Sequence, residues 1–385
     1  MWRQIVEITL MNLRNIPSRL GASSVIVVGI AGVVGVLVAL LSMAVGFRSA
    51  LENTGAPERA IVLRGGAGGE LSSGIANEHV AIVASMDGIA QASAELFTIA
   101  DVPKRSSGTP ANLVVRGVEP SAFAIRPELQ IVSGRNFDTG KNELIAGVGA
   151  AAEFQGIDLG ATIAFRDSSW TIVGLFEAGS GVNESEVWTD LPTAQAAFRR
   201  EGAVTSMRVR LTSPETASEL ATTIENDPRL DLELIAEPTY YSTQAKQLTS
   251  LITGFGYVVA TIMAIGAVFA ALNTMYSAVS TRTVEIATLR AIGFSSAPVV
   301  VSVMFEALIL ATLGGLAGAA AAYLAFNGNT ISTLSGFSQV AFDFTVTPAL
   351  VTTGVVWAVS LGAVGGLFPA VRAARLPITV ALRGE

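Results

Sequence analysis

Few residues of this chain could do covalent or acid–base chemistry, and their spacing argues against it. Among 385 residues His79 is the single histidine, and there is no cysteine. One histidine cannot build a His-based zinc site, and His79, beside Glu78 at the start of a helical stretch, reads as a surface residue rather than a catalytic base. The absence of cysteine excludes thiol catalysis and Cys-ligated metals. Gly140-Lys141 has the end of a phosphate loop, but Arg135 stands where the first glycine of GxxxxGK belongs and Asn142 replaces the Ser or Thr. If ATP drives this protein, a separate polypeptide is expected to bind it. No catalytic and no metal-ligating set is expected, and carboxylate-only chemistry is the residual enzymatic reading.

The residues with a pattern worth a function lie in Ser280 to Phe294, STRTVEIATLRAIGF. At 100° per residue Val284, Ala287 and Ala291 fall on one side of a helix. Ile286, Leu289 and Gly293 fall nearly opposite, flanked by Arg282 and Arg290. A helix lying on a bilayer needs only one apolar face. Two faces predict that one packs under the protein's own helices and the other enters a groove on a cytoplasmic partner.

The elements that position this segment are membrane spans. Asp, Glu, Lys and Arg are absent from Leu20 to Phe47, Gln247 to Thr281, Ala307 to Phe342 and Phe344 to Val371. A helix crosses a hydrocarbon core with about 20 mostly apolar residues, so four spans are expected, the third beginning near Pro298 and the fourth near Pro348. Asn273 in the second and Glu306 in the third are intramembrane polar residues; a costly carboxylate there is expected to find a structural partner, such as Arg290. Gly314 with Gly318, and Gly362 with Gly366, are spaced for close helix contact, read as packing within one bundle. Basic residues flank the ends on one side: Arg3, Arg14 and Arg19, then Arg282 and Arg290, then Arg372, Arg375 and Arg383. The connector from Phe326 to Thr347 has only Asp343. The positive-inside rule therefore places both termini and the Arg282 segment in the cytoplasm. The net charge of -7 gives no basis for nucleic-acid binding.

Arg48 to Lys246 then lies outside and reads as mixed α/β. Ile61 to Leu63, Leu113 to Val118, Thr171 to Phe176 and Met207 to Leu211 are β-prone, whereas Glu78 to Met86, Leu191 to Arg199 and Pro214 to Asn226 have helical spacing. Gly65 to Gly74 reads as a loop. Helical residue types continue through Arg48 to Asn53 and Tyr240 to Leu248, so the first two helices are expected to project as a stalk.

These motifs resemble the permease subunits of the MacB/FtsX-like, or type VII, ABC transporters. The family pattern of Arg, two residues, Glu-Ile, two residues, Leu-Arg-Ala, one residue and Gly is matched by Arg282, Glu285, Ile286, Leu289, Arg290, Ala291 and Gly293, with Thr283 inside it. Phe305-Glu306-Ala307 and the tail from Gly366 to Gly384 are similar to family features, as are VVRGVEP, SGRNF and TIVGLFEAG in the external segment. The resemblance implies an α-helical membrane protein with four transmembrane helices and a large mixed α/β extracytoplasmic domain on a helical stalk. Its expected parts are a cytoplasmic N-terminal helix over 1–21, spans over 22–47, 247–279, 297–325 and 348–371, and a periplasmic core domain with stalk ends over 48–246. A cytoplasmic coupling helix over 280–296, a short periplasmic loop over 326–347 and a cytoplasmic tail over 372–385 complete it.

The same resemblance implies a stand-alone permease in a bacterial inner membrane, in contact with membrane lipid. It pairs with a second copy and with a cytoplasmic ABC ATPase dimer that carries ATP and Mg, no cofactor being bound by this chain. ATP-driven closure is transmitted mechanically to the periplasmic domains. Export is the first reading, with a periplasmic adaptor protein and an outer-membrane channel as further partners. Lol-like extraction of lipoprotein or lipid, and FtsX-like regulation of cell-wall hydrolases without transport, are the alternatives.

Overall fold

The computed structural model describes residues 20–179, 181–335 and 338–375; the expected N-terminal helix and most of the tail lie outside them. In chain order the helices are α1 Leu20–Glu52, α2 Asn77–Ala84, α3 Ser121–Ile125, α4 Val148–Glu153, α5 Leu191–Phe198, α6 Thr216–Asn226, α7 Glu237–Thr281, α8 Thr283–Ala291, α9 Ser296–Phe326 and α10 Pro348–Arg375. The strands are β1 Arg59–Arg64, β2 Ile75–Ala76, β3 Ile89–Pro103, β4 Pro110–Val118, β5 Gln130–Gly134, β6 Glu143–Gly147, β7 Thr162–Phe165, β8 Ser168–Glu177, β9 Glu186–Asp190, β10 Ala203–Val204, β11 Ser206–Leu211, β12 Leu232–Ala236, β13 Thr330–Ser335 and β14 Ser338–Asp343. The chain divides into two units, one of residues up to Val45 with Ser250–Asn329 and from Phe344 on, the other of Gly46–Thr249 with Thr330–Asp343.

The first unit is a bundle of α1, α7, α9 and α10, each long and apolar enough to cross a membrane. Helices suit that setting because every interior backbone group bonds within its own segment. The bundle combines a core of buried side chains, among them Ile26, Ile30, Met275 and Leu310, with close backbone approach at glycines. A Cβ on Gly314 or Gly318 of α9 would meet α1 at Val27, Ile30 and Ala31; one on Gly362 or Gly366 of α10 would meet Ala311 and Ala307 of α9. Both expected glycine pairs therefore pack inside one bundle.

The second unit is built on a ten-stranded mixed sheet with the order β12-β1-β11-β3-β4-β9-β6-β8-β5, and β7 on β8. The four segments expected as strands lie in β1, β4, β8 and β11, and the three expected helices are α2, α5 and α6. The longest strand, β3, was not among them. It pairs antiparallel with β4 from Glu95–Val118 to Pro103–Pro110. Apolar clusters fill the sheet's faces: Val62, Val83, Leu96, Val209 and Ile224 in one, Leu113, Leu144, Phe154, Trp170 and Ile172 in another.

One expectation is corrected here. The connector after the third span is not merely a short loop: β13 and β14 form a hairpin that belongs to the sheet-bearing unit. Phe342 packs edge-on against Phe47 at 5.4 Å, and the Ala341 amide donates to Ser185 Oγ at 2.8 Å. The helical continuations expected over Arg48 to Asn53 and Tyr240 to Leu248 are present: α1 runs to Glu52, and the second span is the end of an unbroken 45-residue helix beginning at Glu237. At the α-helical rise it is about 68 Å long, roughly twice a hydrocarbon core.

Candidate functional site

The charged segment between the second and third spans folds as α8, nine residues long. The chain breaks at Arg282, which lies between α7 and α8, and Thr283 Oγ1 donates to the Ser280 carbonyl at 2.8 Å. The other end is closed by glycine chemistry. Gly293 adopts φ +105°, its amide donates to the Arg290 carbonyl, and the Phe294 amide donates to the Leu289 carbonyl. This paired closure satisfies otherwise orphaned carbonyls and needs a left-handed residue at that position, which accounts for Gly293 in the motif.

Beneath α8 lies a pocket whose lining includes Met275, Ile286, Leu289, Val303 and the charged groups Arg282 and Glu306. Arg282 is buried and bridges two carboxylates: its Nη1 is 3.3 Å from Glu306 Oε2 and its Nε 3.2 Å from Glu285 Oε2. Glu306 thus has a structural partner of the kind expected for an intramembrane carboxylate, and Arg282 is that partner. Sequence distance hid the pairing, because 24 residues separate two positions that the α7–α9 hairpin brings together.

The faces of α8 also sort differently from a helical wheel. Ile286 and Ala287 are both buried, and Leu289 and Arg290 are half-buried. Val284, Glu285, Thr288, Ala291 and Ile292 are exposed, with Val284 at 56% and Ile292 at 68%. Ala287 therefore leaves the group expected with Val284 and Ala291. Leu289 lines the pocket beneath α8, and Ile292 is an exposed apolar residue that the wheel did not assign. Asn273 lies on the exposed side of α7.

The sheet-bearing unit holds a second constellation, which sequence reading did not find: a buried network of arginines and glutamates. Arg116 of β4 places Nη1 2.6 Å from Glu70 Oε2 and 2.7 Å from Glu95 Oε2, and its Nε 2.7 Å from Glu186 Oε2. Arg208 of β11 reaches Glu70 Oε1 at 2.8 Å and Glu237 Oε1 at 2.6 Å. Arg59 of β1 reaches Glu237 Oε2 at 2.8 Å and Glu128 at 2.6 Å. Arg126 Nη1 lies 2.7 Å from Glu95 Oε1, off the hydrogen-bond axis, while its Nη2 donates to Glu95 Oε2 at 3.0 Å.

Each charge is affordable only because the others are present. Burial alone would raise the Glu70 carboxyl, but Arg116 and Arg208 overcome it and hold the group at about 2. Glu95 is likewise lowered, with Arg126, Arg116 and Arg208 outweighing burial. Burial opposes the guanidinium charge of Arg116, yet Glu186 and Glu70 raise it well above its ordinary value. The network also seizes the first turn of α7: Glu237 and Tyr241 are its residues, and the Tyr241 hydroxyl lies 3.1 Å from Arg208 Nη1. The end of α1 is held nearby, since Arg59 Nη2 donates to the Thr54 carbonyl at 3.0 Å and the Ala56 amide to Glu237 Oε2 at 3.3 Å. A charge on every other residue of β-prone runs, as in Arg208 and Arg210, was the available signal; which of them is buried depends on sheet register.

Among the described residues no group of three or more His, Asp or Glu is placed to hold a metal ion. Four membrane-length helices, a charged helix between the second and third, and a mixed α/β unit define an α-helical membrane protein with a large sheet-bearing domain. The family model for the MacB-like periplasmic core domain matches residues 23–227, and that for the FtsX-like permease C-terminal matches residues 257–378. The chain therefore belongs to the ABC-transporter permeases of the MacB and FtsX type.

Three curated relatives agree. The lipoprotein-releasing system transmembrane protein LolC of Neisseria meningitidis is 26% identical over 70% of this chain and 74% of its own. The macrolide export ATP-binding/permease protein MacB of Bradyrhizobium diazoefficiens is 26% identical over 71% of this chain, and the pyoverdine export ATP-binding/permease protein PvdT of Pseudomonas fluorescens 27% identical over 59%. The chain spans less than half the length of those two, 44% and 35%. Among solved structures, the periplasmic region of MacB from Actinobacillus actinomycetemcomitans is 12% identical, with a TM-score of 0.38, covering 50% of this chain and 94% of that one.

Proposed function

We propose that this chain is the permease of an ABC exporter in a bacterial inner membrane, seated by α8 on a separate cytoplasmic ATPase that binds ATP and Mg. The observation that carries the reading is the two-sidedness of α8: Ile286 and Ala287 are buried, Ile286 lining the same pocket as Arg282 and Glu306, while Val284 and Ile292 stand exposed. Exposed apolar residues on a short helix rimmed by charge are what a partner groove takes up.

Movement at α8 is passed along α7 to the sheet-bearing unit. Support for this comes from α7 being a single unbroken helix whose first turn is gripped by Arg59 and Arg208 through Glu237. Backbone hydrogen bonds make such a helix stiff, and a buried ion network resists being pulled apart. The sheet-bearing unit is periplasmic in this reading and acts on an exported substrate with an adaptor protein. A second reading, release of lipid-anchored proteins from the membrane, is favoured by the match that covers most of LolC.

Purification from native membranes tests the proposal. The wild-type chain is expected to bring an ABC ATPase with it, and Val284→Asp/Ile292→Asp to lose it while staying membrane-inserted and monodisperse. Retention of the ATPase by that double variant would sink the assignment of α8. An adaptor in the wild-type complex supports export, and a soluble lipid-binding carrier supports release.

A further inference from the structure

Glu70 enters the buried network from a different kind of carrier than its fellow glutamates. Glu95 and Glu186 project from strands β3 and β9 and Glu237 from helix α7, whereas Glu70 sits on the irregular segment between β1 and β2. That segment, Gly65 to Gly74, holds five glycines in ten residues. Between Arg64 and Ser72, Glu70 is the one buried residue, and Leu71 is only half-buried. Apart from those of the Glu70 side chain, the hydrogen bonds of residues 66–72 found among the described residues stay within 64–73. The Ala67 amide donates to the Arg64 carbonyl, the Ser72 amide and hydroxyl to the Gly69 carbonyl, and Arg64 Nη2 to the Ser72 carbonyl. One carboxylate therefore makes the polar attachment of this strap to the sheet.

What Glu70 enters is a preformed carboxylate cradle. Its Oε2 accepts from Arg116 Nη1 at 2.6 Å and from Ser206 Oγ at 2.8 Å, and its Oε1 from Arg208 Nη2 at 2.8 Å and Arg116 Nη2 at 3.4 Å. Other residues hold these donors in place: Glu186 grips Arg116 through two bonds of 2.7 Å, and Glu237 accepts from Arg208 Nη1 at 2.6 Å. Donors fixed in advance lose little freedom when a ligand arrives. Among the described residues, the network's buried arginines are Arg59, Arg116, Arg126 and Arg208 and its buried glutamates Glu70, Glu95, Glu186 and Glu237, with Glu128 half-buried beside Arg59. Withdrawing Glu70 puts the buried arginines one in excess, so the place it leaves attracts an anion. Release also returns backbone freedom to a glycine-rich segment, which offsets part of the lost ionic contact.

We propose that Arg116, Arg208 and Ser206 form a binding site for a carboxylate-bearing ligand, that Glu70 occupies it here as an internal substitute, and that Gly65 to Gly74 is the strap that withdraws it. The chemistry recognised is a carboxylate, whether of a small organic acid or of a peptide C-terminus. The site lies within the sheet-bearing unit, and the inference does not depend on α8, on the ATPase or on the direction of transport.

Two measurements on the full-length protein in detergent test it. In Glu70→Ala, sodium acetate or N-acetylglycine is expected to raise the midpoint of thermal unfolding by at least about 3 °C over sodium chloride at equal ionic strength, with the neutral N-acetylglycine amide inert. The wild type is expected to show no such rise, because the tethered Glu70 outcompetes a free acid. A larger rise with acetate supports the site with a small acid as its ligand, and a larger rise with N-acetylglycine supports it with a peptide terminus. No rise above chloride, or the same rise in the wild type, overturns the site. Opening of the strap is read with Glu70 in place, by single cysteines in a chain that has none of its own. Ser206→Cys, under the strap where Ser206 Oγ meets Glu70, is expected to react with a maleimide at least tenfold faster than Val209→Cys, buried in the apolar cluster with Val83 and Ile224. An equal or slower reaction would mean that position 206 is reached only by global unfolding, and overturns the strap. Since ATPase retention is measured separately, failure here is distinct from failure of the α8 assignment.

Discussion

Arg116 shows how far a single residue's role depends on its neighbours. Its guanidinium meets Glu70, Glu95 and Glu186 within one buried cluster, and each carboxylate has little water to fall back on. Glu70 gives the group a measurable pH signature. Its folded value of about 2 lies below the ordinary 4.5, so the stability it contributes is complete above about pH 4.5 and is lost as pH falls toward 2. Solubilised protein followed through buried Trp170 and Trp188 is expected to lose stability across that window. Glu70→Gln is expected to cost about 3 to 5 kcal/mol at pH 7, because Arg116 and Arg208 lose a buried partner, and to show a shallower acid dependence. An unchanged acid profile in Glu70→Gln would place the acid-sensitive charge elsewhere.

At the scale of elements, glycine decides which helices can touch. Gly318 of α9 sits against the backbone of α1 at Ala31, where a side chain could gain room only by moving one helix from the other. Gly318→Val is therefore expected to destabilise the bundle by about 1 to 3 kcal/mol, read as a lower midpoint of thermal unfolding in detergent. Gly29→Ala, where an added Cβ meets nothing within 4 Å, is the control and should stay within about 0.5 kcal/mol of the parent. Equal losses in the two would mean that close approach does not set the cost. The ends of α8 follow the same logic: Gly293 stops the helix because only its backbone takes φ +105° without strain.

For the whole molecule, the open question of function becomes one of sidedness. The permease reading puts α8 in the cytoplasm and the sheet-bearing unit outside. Ser107→Cys, in the exposed turn between β3 and β4, is expected to react with a membrane-impermeant maleimide in intact spheroplasts. Ser280→Cys, exposed at the end of α7, is expected to react only after permeabilisation. The reverse pattern would invert the topology and remove α8 from reach of a cytoplasmic ATPase.

What the sequence determined by itself were features that local chemistry controls. Runs without charge can form membrane helices because length and apolarity suffice, and Ser280 to Phe294 can form a short charged helix because its punctuation lies within the segment. The same locality made β1, β4, β8, β11 and three helices legible. Tertiary structure decided what depends on partners far along the chain. It gave Glu306 to Arg282, turned Leu289 inward and placed the β13–β14 hairpin with the sheet. It alone revealed the Arg116 network, in which Glu70 and Arg208 lie 138 residues apart. A charged residue in a β-prone run reads as solvent-facing until register and topology bring its counter-charges, and burial then turns a surface pattern into the clamp on α7.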